Sequence, residues 1–358
     1  MSAAEERRSR LLHSVGRTGT ARLTELADEL GVSIATIRRD AELLRRRGRL
    51  VRRHGSVELI PRPDLRRGGR PATIGMMHSA NRYLALIAQA ARREAERRDH
   101  RFLIEPVETQ SDADRAARRL VAAGCIGLIY APQWRSDAEL AEPTPWLDRT
   151  DLPVVLGGRD VGPDHPLFRL DSVIADHAYG MRLGLDHLQS LGHRRVIATI
   201  HDESPPGRLL RRQFVEQLAG RGLPVLLPPL LTPQQRTPAA LRPIVDAVID
   251  LAATAIIVHT DWTAQALVPQ LRRAGLRVPE DVSVVAYDDI VTPEVDLALT
   301  SISPAKHELG IEAVSLLLRR HRVRSAGLDP PPVAHVRLLP VLVVRSSTGP
   351  APRTGDGS

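Results

Sequence analysis

Between residues 73 and 287, short apolar runs alternate with longer stretches of helical periodicity. This restricts that part of the chain to an α/β build of parallel strands joined by crossover helices. Strands are predicted at 73–77, 101–104, 127–130 and 154–156, with helices near 84–97 and 112–123. After Asp176 the pattern restarts: helix 177–190, strand 196–200, helices 209–220 and 238–251, strand 255–259, helix 263–274, strand 283–287. Two doubly wound parallel-sheet halves are expected.

The first sixty residues follow another pattern. Leu23, Leu26, Ala27 and Leu30 mark a short amphipathic helix, and Leu11, Leu12 and Val15 mark one before it. Gly31 then signals a turn, and Ser33 carries a hydroxyl suited to capping the helix it opens. Inside that helix Ile37, Ala41 and Leu44 form a buried stripe, while Ala35, Arg39, Glu42 and Arg46 fall opposite at about 100° per residue. Two strand-like runs around His54-Gly55 read as a basic hairpin. The sum is a winged helix-turn-helix over 1–60, with Arg39 as base reader and Arg22 and Arg53 as phosphate contacts. Ser33, Ala35, Thr36, Arg38 and His54 complete the expected DNA surface.

Charge agrees with that reading. Residues 1–70 hold 17 Lys+Arg and 9 Asp+Glu, so the entire formal charge of +8 sits there and the remainder is neutral. Phosphate neutralisation dominates affinity for duplex DNA, so a basic head on a neutral body fits DNA binding.

Other features exclude classes of function. Cys125 is the single cysteine, which leaves no intrachain disulfide and no thiolate zinc site and suits a reducing cytoplasm. No signal-peptide pattern opens the chain, and no apolar run approaches the roughly 20 residues that span a bilayer. No Gly-x-Gly-x-x-Gly or Gly-Lys-Ser/Thr loop follows a strand, so dinucleotide and nucleotide triphosphate chemistry has no anchor; no cofactor is expected, and with no thiolate cluster no metal either. Lys306 is the only lysine, a compositional bias from which no function is read at this level. Residues 61–71 carry several Pro and Gly breakers and are expected to form an extended linker. Residues 348–358 are expected to form a disordered tail.

Residues 7–59 resemble the N-terminal domain of the DeoR family of bacterial repressors. The resemblance is carried by Leu26-Ala27, Gly31-Val32-Ser33, Thr36-Ile37-Arg38-Arg39-Asp40, Leu44, Gly48 and Arg53-His54-Gly55. The chain departs from that pattern at Ala41, where the family has Leu, and at Ser56, where it has Gly. Residues 73–347 resemble the effector domain of the LacI family, itself similar to periplasmic sugar-binding proteins. The matching runs include Ile74-Gly75, Leu191-Gly192-His193-Arg194-Arg195, Val278-Pro279-Glu280-Asp281-Val282-Ser283 and Tyr287-Asp288-Asp289.

The second resemblance implies subdomains of about 72–172 plus 301–325 and about 173–298 plus 333–347, with a small molecule bound between them at the strand ends. It assigns His78, Ser79, Asn81 and Tyr83, Trp134 beside Gln133, and Arg159 from the first half. From the second half it assigns Asp176, the Asp261-Trp262 pair and Asp288. Carboxylates there accept hydrogen bonds from sugar hydroxyls, and a Trp face packs on the apolar face of a ring. Asp176 can instead cap the helix it precedes; Trp146 reads as packing and His193 as structural. The family's Asn-Asp pair is Thr260-Asp261 here, and its Arg before a Gly-aromatic pair aligns with Leu210, leaving Arg211 as the nearby substitute.

The implied function is a ligand-responsive transcriptional repressor, with activation left open, acting as a homodimer on a palindromic operator in double-stranded DNA. Its effector would be a sugar or derivative, with a nucleoside, polyol or sugar phosphate left open. The competing reading is a DNA-tethered sugar-phosphate enzyme, against which no nucleophile motif or His/Glu pair stands at a credible spacing.

Overall fold

A computed structural model describes residues 7, 11, 14, 15, 20–46, 50–53, 56–59, 71–201, 205–228, 238–290 and 297–352. They fall into two units, 1–70 and 71–358. The expected linker lies almost wholly outside the described residues.

In the first unit β1 (Thr20–Arg22) leads directly into α1 (Leu23–Leu30), followed by α2 (Ile34–Arg46), β2 (Leu50–Arg53) and β3 (Ser56–Leu59). Gly31 ends α1 in the left-handed region at φ 66°, returning its N–H to the helix carbonyls of Ala27 and Asp28. Ser33 opens α2 as expected, its Oγ accepting from the Thr36 N–H at 3.2 Å. Ile37, Ala41 and Leu44 pack with Leu11, Val15, Leu23, Leu26, Ala27 and Val57 into one core. Strands β2 and β3 form the antiparallel wing, and β1, not anticipated from the sequence, pairs with the other edge of β3. A three-residue strand is too short to show periodicity.

The second unit runs β4 (Thr73–His78), α3 (Arg82–Arg97), β5 (Arg101–Pro106), α4 (Gln110–Ala122), β6 (Cys125–Ala131), α5 (Asp137–Ala141), α6 (Pro145–Asp148), β7 (Val154–Gly157) and β8 (Asp171–Ala175). It continues with α7 (His177–Ser190), β9 (Val196–Thr199), α8 (Pro205–Gly220), α9 (Arg242–Asp250), β10 (Ala255–Val258), α10 (Asp261–Arg273) and β11 (Ser283–Tyr287). Last come β12 (Thr300–Ser303), α11 (Lys306–Ser325), β13 (His335–Leu338) and β14 (Val341–Val343). A six-stranded sheet, β13-β8-β7-β6-β4-β5, is parallel throughout and forms the first lobe. The five-stranded sheet of the second lobe, β14-β12-β11-β10-β9, is parallel except for β14. Three segments connect the lobes: Ala175–His177, Ser303–Lys306 and Leu338–Val341.

The expected subdomain limits need correction. Strand β8 belongs to the first sheet, so that lobe extends to Ala175; β12 belongs to the second sheet and β13 to the first. Buried polar residues hid two of these strands from a hydropathy reading. Asp171 opens β8 with its carboxylate buried against Arg320 at 2.6 and 2.7 Å, and it also accepts from the Ala334 N–H. In β12 the Thr300 N–H donates to Ser347 Oγ at 2.8 Å, and Ser301 Oγ donates to Asp261 at 2.9 Å. Nor are residues 348–352 a loose tail. The Ala351 N–H donates to the Leu191 carbonyl at 2.8 Å, and His193 holds the Gly349 carbonyl at 3.0 Å. Residues 353–358 lie outside the described residues.

Close helix packing fixes the first lobe. A side chain at Gly310 on α11 would press to 2.5 Å from the Ile87 carbonyl of α3, so glycine is required where the helices cross. Thr109 caps α4 reciprocally: its Oγ1 accepts from the Asp112 N–H at 3.1 Å while Asp112 accepts from the Thr109 N–H at 3.0 Å. Thr109→Ala is expected to cost about 1 kcal/mol, read as a lower denaturant midpoint at unchanged slope.

Candidate functional site

The strand ends of both sheets open onto a cleft of about 620 Å³. The segment after β4 contributes Asn81, Arg82 and Tyr83, and those after β5, β6 and β7 contribute Glu108, Gln133-Trp134-Arg135 and Arg159. The second lobe brings His177, His201, Leu210, His259–Trp262, Gln265, Tyr287 and Asp288. Convergence of strand ends from two sheets is where open α/β folds place their ligands.

At its base, polar groups of both lobes meet. Tyr83 and Arg159 come from the first; His177, Tyr287 and Asp288 from the second. The guanidinium of Arg159 is buried and donates to the carbonyls of Pro132 and Gly158, which locks it in place; burial lowers it to about 10, with Tyr83 and Asp288 acting the other way. His177 Nδ1 and the Tyr287 hydroxyl share a hydrogen bond of 2.9 Å. Burial, reinforced by Arg159, brings His177 down to about 4, so the imidazole is neutral at physiological pH.

Asp288 is the most perturbed carboxyl. Burial, then Asp261, pushes it up to about 7, against the pull of Lys306 and Arg159. Its backbone and that of Asp289 sit in the left-handed region, at φ 92° and 50°. Four elements hold this loop: the Asp261 carboxylate accepts from the Ile290 N–H, Ser301 Oγ accepts from the Asp289 N–H at 3.1 Å, Arg345 pairs with Asp289 at 2.8 Å, and Lys306 donates to the Asp288 carbonyl. Among the described residues, no side chain donates to the Asp288 carboxyl. The Tyr83 hydroxyl and Trp134 Nε1 are likewise buried without a partner. Trp146 Nε1 and Arg98 Nη1, outside the cleft lining, are buried unpartnered as well, and at the cleft base the Asp288 carboxyl is the open acceptor.

Of the residues assigned from the sequence, Asn81, Tyr83, Trp134, Arg159, Asp261, Trp262 and Asp288 line this cleft. Asn81 also caps α3, accepting from the Tyr83 N–H at 2.8 Å. Asp261 has both oxygens engaged within the chain, so it braces the Asp288 loop while facing the cavity. Trp262 is 63% exposed at the mouth.

Four assignments move away from the lining. His78 turns its Nδ1–H onto the Ser79 carbonyl at 2.8 Å, and Ser79 is buried donating to the Val107 carbonyl at 2.7 Å. Asp176 is the cap of α7, accepting from the Tyr179 N–H at 2.9 Å. Arg211 lies about 100° around α8 from Leu210, and the helix presents Leu210 to the cleft instead. Trp146 packs edge-on against Tyr130 at 5.1 Å, and His193 bridges Thr254 and Ser283, both as expected of structural residues.

Sequence reasoning missed the histidines. His201 and His259 follow β9 and β10 with ring centres 5.4 Å apart, and the His201 N–H donates to His259 Nδ1 at 3.1 Å. Their signal was positional: both stand at strand ends of the second lobe, where the strand-end assignments were limited to Asp and Trp.

In the first unit, Ala35, Arg38 and Arg39 are exposed on α2, and Arg22 is exposed at the start of α1. Ser33 and Thr36 share a 2.9 Å hydroxyl contact at the helix start. Arg53 closes β2 in the wing, while His54 lies outside the described residues.

Known proteins match both units. A DeoR-like helix-turn-helix domain model matches residues 7–62, and a periplasmic binding protein-like domain model matches residues 185–348. The arabinose metabolism transcriptional repressor of Geobacillus stearothermophilus is 25% identical over 342 residues, 90% of each chain. The lac repressor dimer bound to operator and an anti-inducer shares the fold at TM-score 0.64 and 22% identity, covering 82% of this chain and all of that one. The complex of the transcriptional regulator CelR with cellobiose does so at TM-score 0.64 and 24% identity, covering 88% of this chain and 91% of that one. These relatives are regulators, not enzymes, and no helix among the described residues is long and apolar enough to cross a membrane. The chain is thus a transcriptional regulator of hybrid build, a DeoR-like helix-turn-helix head joined to a periplasmic-binding-protein-like domain.

Proposed function

We propose that the protein is a cytoplasmic repressor that reads a roughly palindromic operator as a homodimer and is switched by an uncharged sugar or sugar-like molecule taken into the cleft. The observation that carries this is the cleft base. Both lobes contribute polar groups there; the Asp288 carboxyl accepts from no side chain among the described residues, and the Tyr83 hydroxyl and Trp134 Nε1 are buried without partners. A hydroxyl can donate to Asp288 and accept from Tyr83 in the same pose. An anionic group would meet the Asp288 carboxyl, with two of the three Arg159 nitrogens already donating to backbone carbonyls; Arg82 and Arg135 also line the cleft, so the charge of the ligand is decided by the panel below.

On DNA, Arg38 and Arg39 would face the major groove from α2, with Arg22 and the wing on phosphates. Ligand and DNA would favour different lobe arrangements, which is what links the two sites.

A thermal-shift panel of sugars, polyols, nucleosides and sugar phosphates tests the ligand half. A bound neutral ligand raises apparent stability by about 2.7 kcal/mol at a hundred times its Kd. A melting point moved by the phosphates and by none of the neutral compounds would refute the uncharged class. Sedimentation of the full chain should give a dimer at micromolar concentration; a monomer contradicts the assembly.

A further inference from the structure

Arginine fills 49 of the 50 basic positions in this chain, and the single lysine, Lys306, stands at a junction between the lobes. It is the first residue of α11, a helix of the first lobe, three residues after β12 of the second. A cation there opposes the helix dipole, and Ala305 before it supplies no side-chain cap. Helix formation therefore gives no reason for the residue. Its ammonium turns back to the second lobe, donating to the Asp288 carbonyl and lying 3.4 Å from that of Pro304. Asp288, Asp289, Asp261 and Glu308 surround it with negative charge, while burial pulls it below the ordinary lysine range. A compact ammonium lets two carbonyls converge on one nitrogen, whereas the planar guanidinium fork presents its donors side by side.

We propose that Lys306 is the pin that sets the angle between the lobes and ties it to the cleft, because the residue whose carbonyl it grips also carries the carboxyl facing the ligand. Among the described residues, the side-chain ion pair that bridges the lobes near the cleft, between Arg208 and Asp137, involves an Asp137 side chain that is 80% exposed, so solvent weakens it. Lys306 is half-buried and acts at the pivot, where a small displacement is magnified at the mouth. Lys306 is a positioning residue: it acts through the Asp288 loop. The proposal draws its regulatory meaning from the effector reading above, but its test needs no effector, so either can fail without the other.

The test is the inter-lobe distance in the full-length, ligand-free chain. Spin labels are placed at Ala122→Cys on α4 and Asp250→Cys on α9, both exposed in the parent, with the buried Cys125→Ala. Pulsed EPR on this background, with the labelled chain diluted in excess unlabelled chain so that a dimer carries one labelled protomer, should give one narrow distance. Adding Lys306→Met should broaden the distribution and shift its mean. Lys306→Arg, which keeps the charge without the single-point reach, should give a displaced mean. Melting curves report whether each variant is folded. A folded Lys306→Met chain whose distribution coincides with the background overturns the proposal. If that variant does not fold, Lys306→Arg decides: a displaced mean supports the pin, and a coincident one overturns it.

Discussion

Arg39→Ala should abolish sequence-specific operator binding while leaving the head folded. The side chain is exposed on α2, opposite the core residues Ile37, Ala41 and Leu44, so its removal opens no cavity. Arginine is the commonest bidentate reader of guanine, and each lost base contact costs about 1–3 kcal/mol. A dimer loses the contact in both half-sites, so the effect doubles in free energy. Arg22→Ala should behave otherwise, weakening all sequences alike and lowering the salt slope by about 1 per head, about 2 for the dimer. Mobility-shift titrations on operator and on unrelated duplex separate the two patterns; an Arg39→Ala protein that still prefers operator would remove α2 from its reading role.

Asp288→Asn should leave operator binding intact and eliminate the response to effector. Asparagine is the informative replacement, because φ 92° strains an alanine while Asn tolerates the left-handed region. The variant also has a pH signature. Burial raises the Asp288 carboxyl to about 7, so the folded chain keeps a proton that the unfolded chain releases at the ordinary carboxyl value. The resulting cost to stability is absent below that ordinary value, grows as pH climbs, and levels off above about 7. Asp288→Asn removes it, so the variant should melt above the parent at pH 8, with the gap closing toward pH 4. Calorimetric titration with effector beside these melting curves is decisive: unchanged affinity would strip Asp288 of its ligand role.

The sequence reveals most where one physical signal dominates. The stripe of Ile37, Ala41 and Leu44 and the cap at Ser33 are both found in the structure, because one face of α2 is buried and Ser33 has a single evident use. Strands β8 and β12 were missed because Asp171, Thr300 and Ser301 are buried by specific partners, Arg320, Ser347 and Asp261, that lie far away in sequence. In the cleft, position after a strand located Arg159, Trp134, Asp261 and Asp288, yet could not tell a cavity-facing carboxyl from a helix cap. Asp176 satisfies the same positional rule and spends its side chain on Tyr179.

The late crossing of the chain between the lobes bears on how the protein is made. The edge strand of the first sheet, β13, and that of the second, β14, lie within nine residues of each other, at 335–343. A ribosome moving at roughly 5–20 residues per second completes the N-terminal unit long before either edge exists. During that interval the nascent chain carries a finished head on a body whose two sheets each lack an edge strand. A message cut short before β13 would therefore yield a complete head on a body in which each sheet lacks an edge strand.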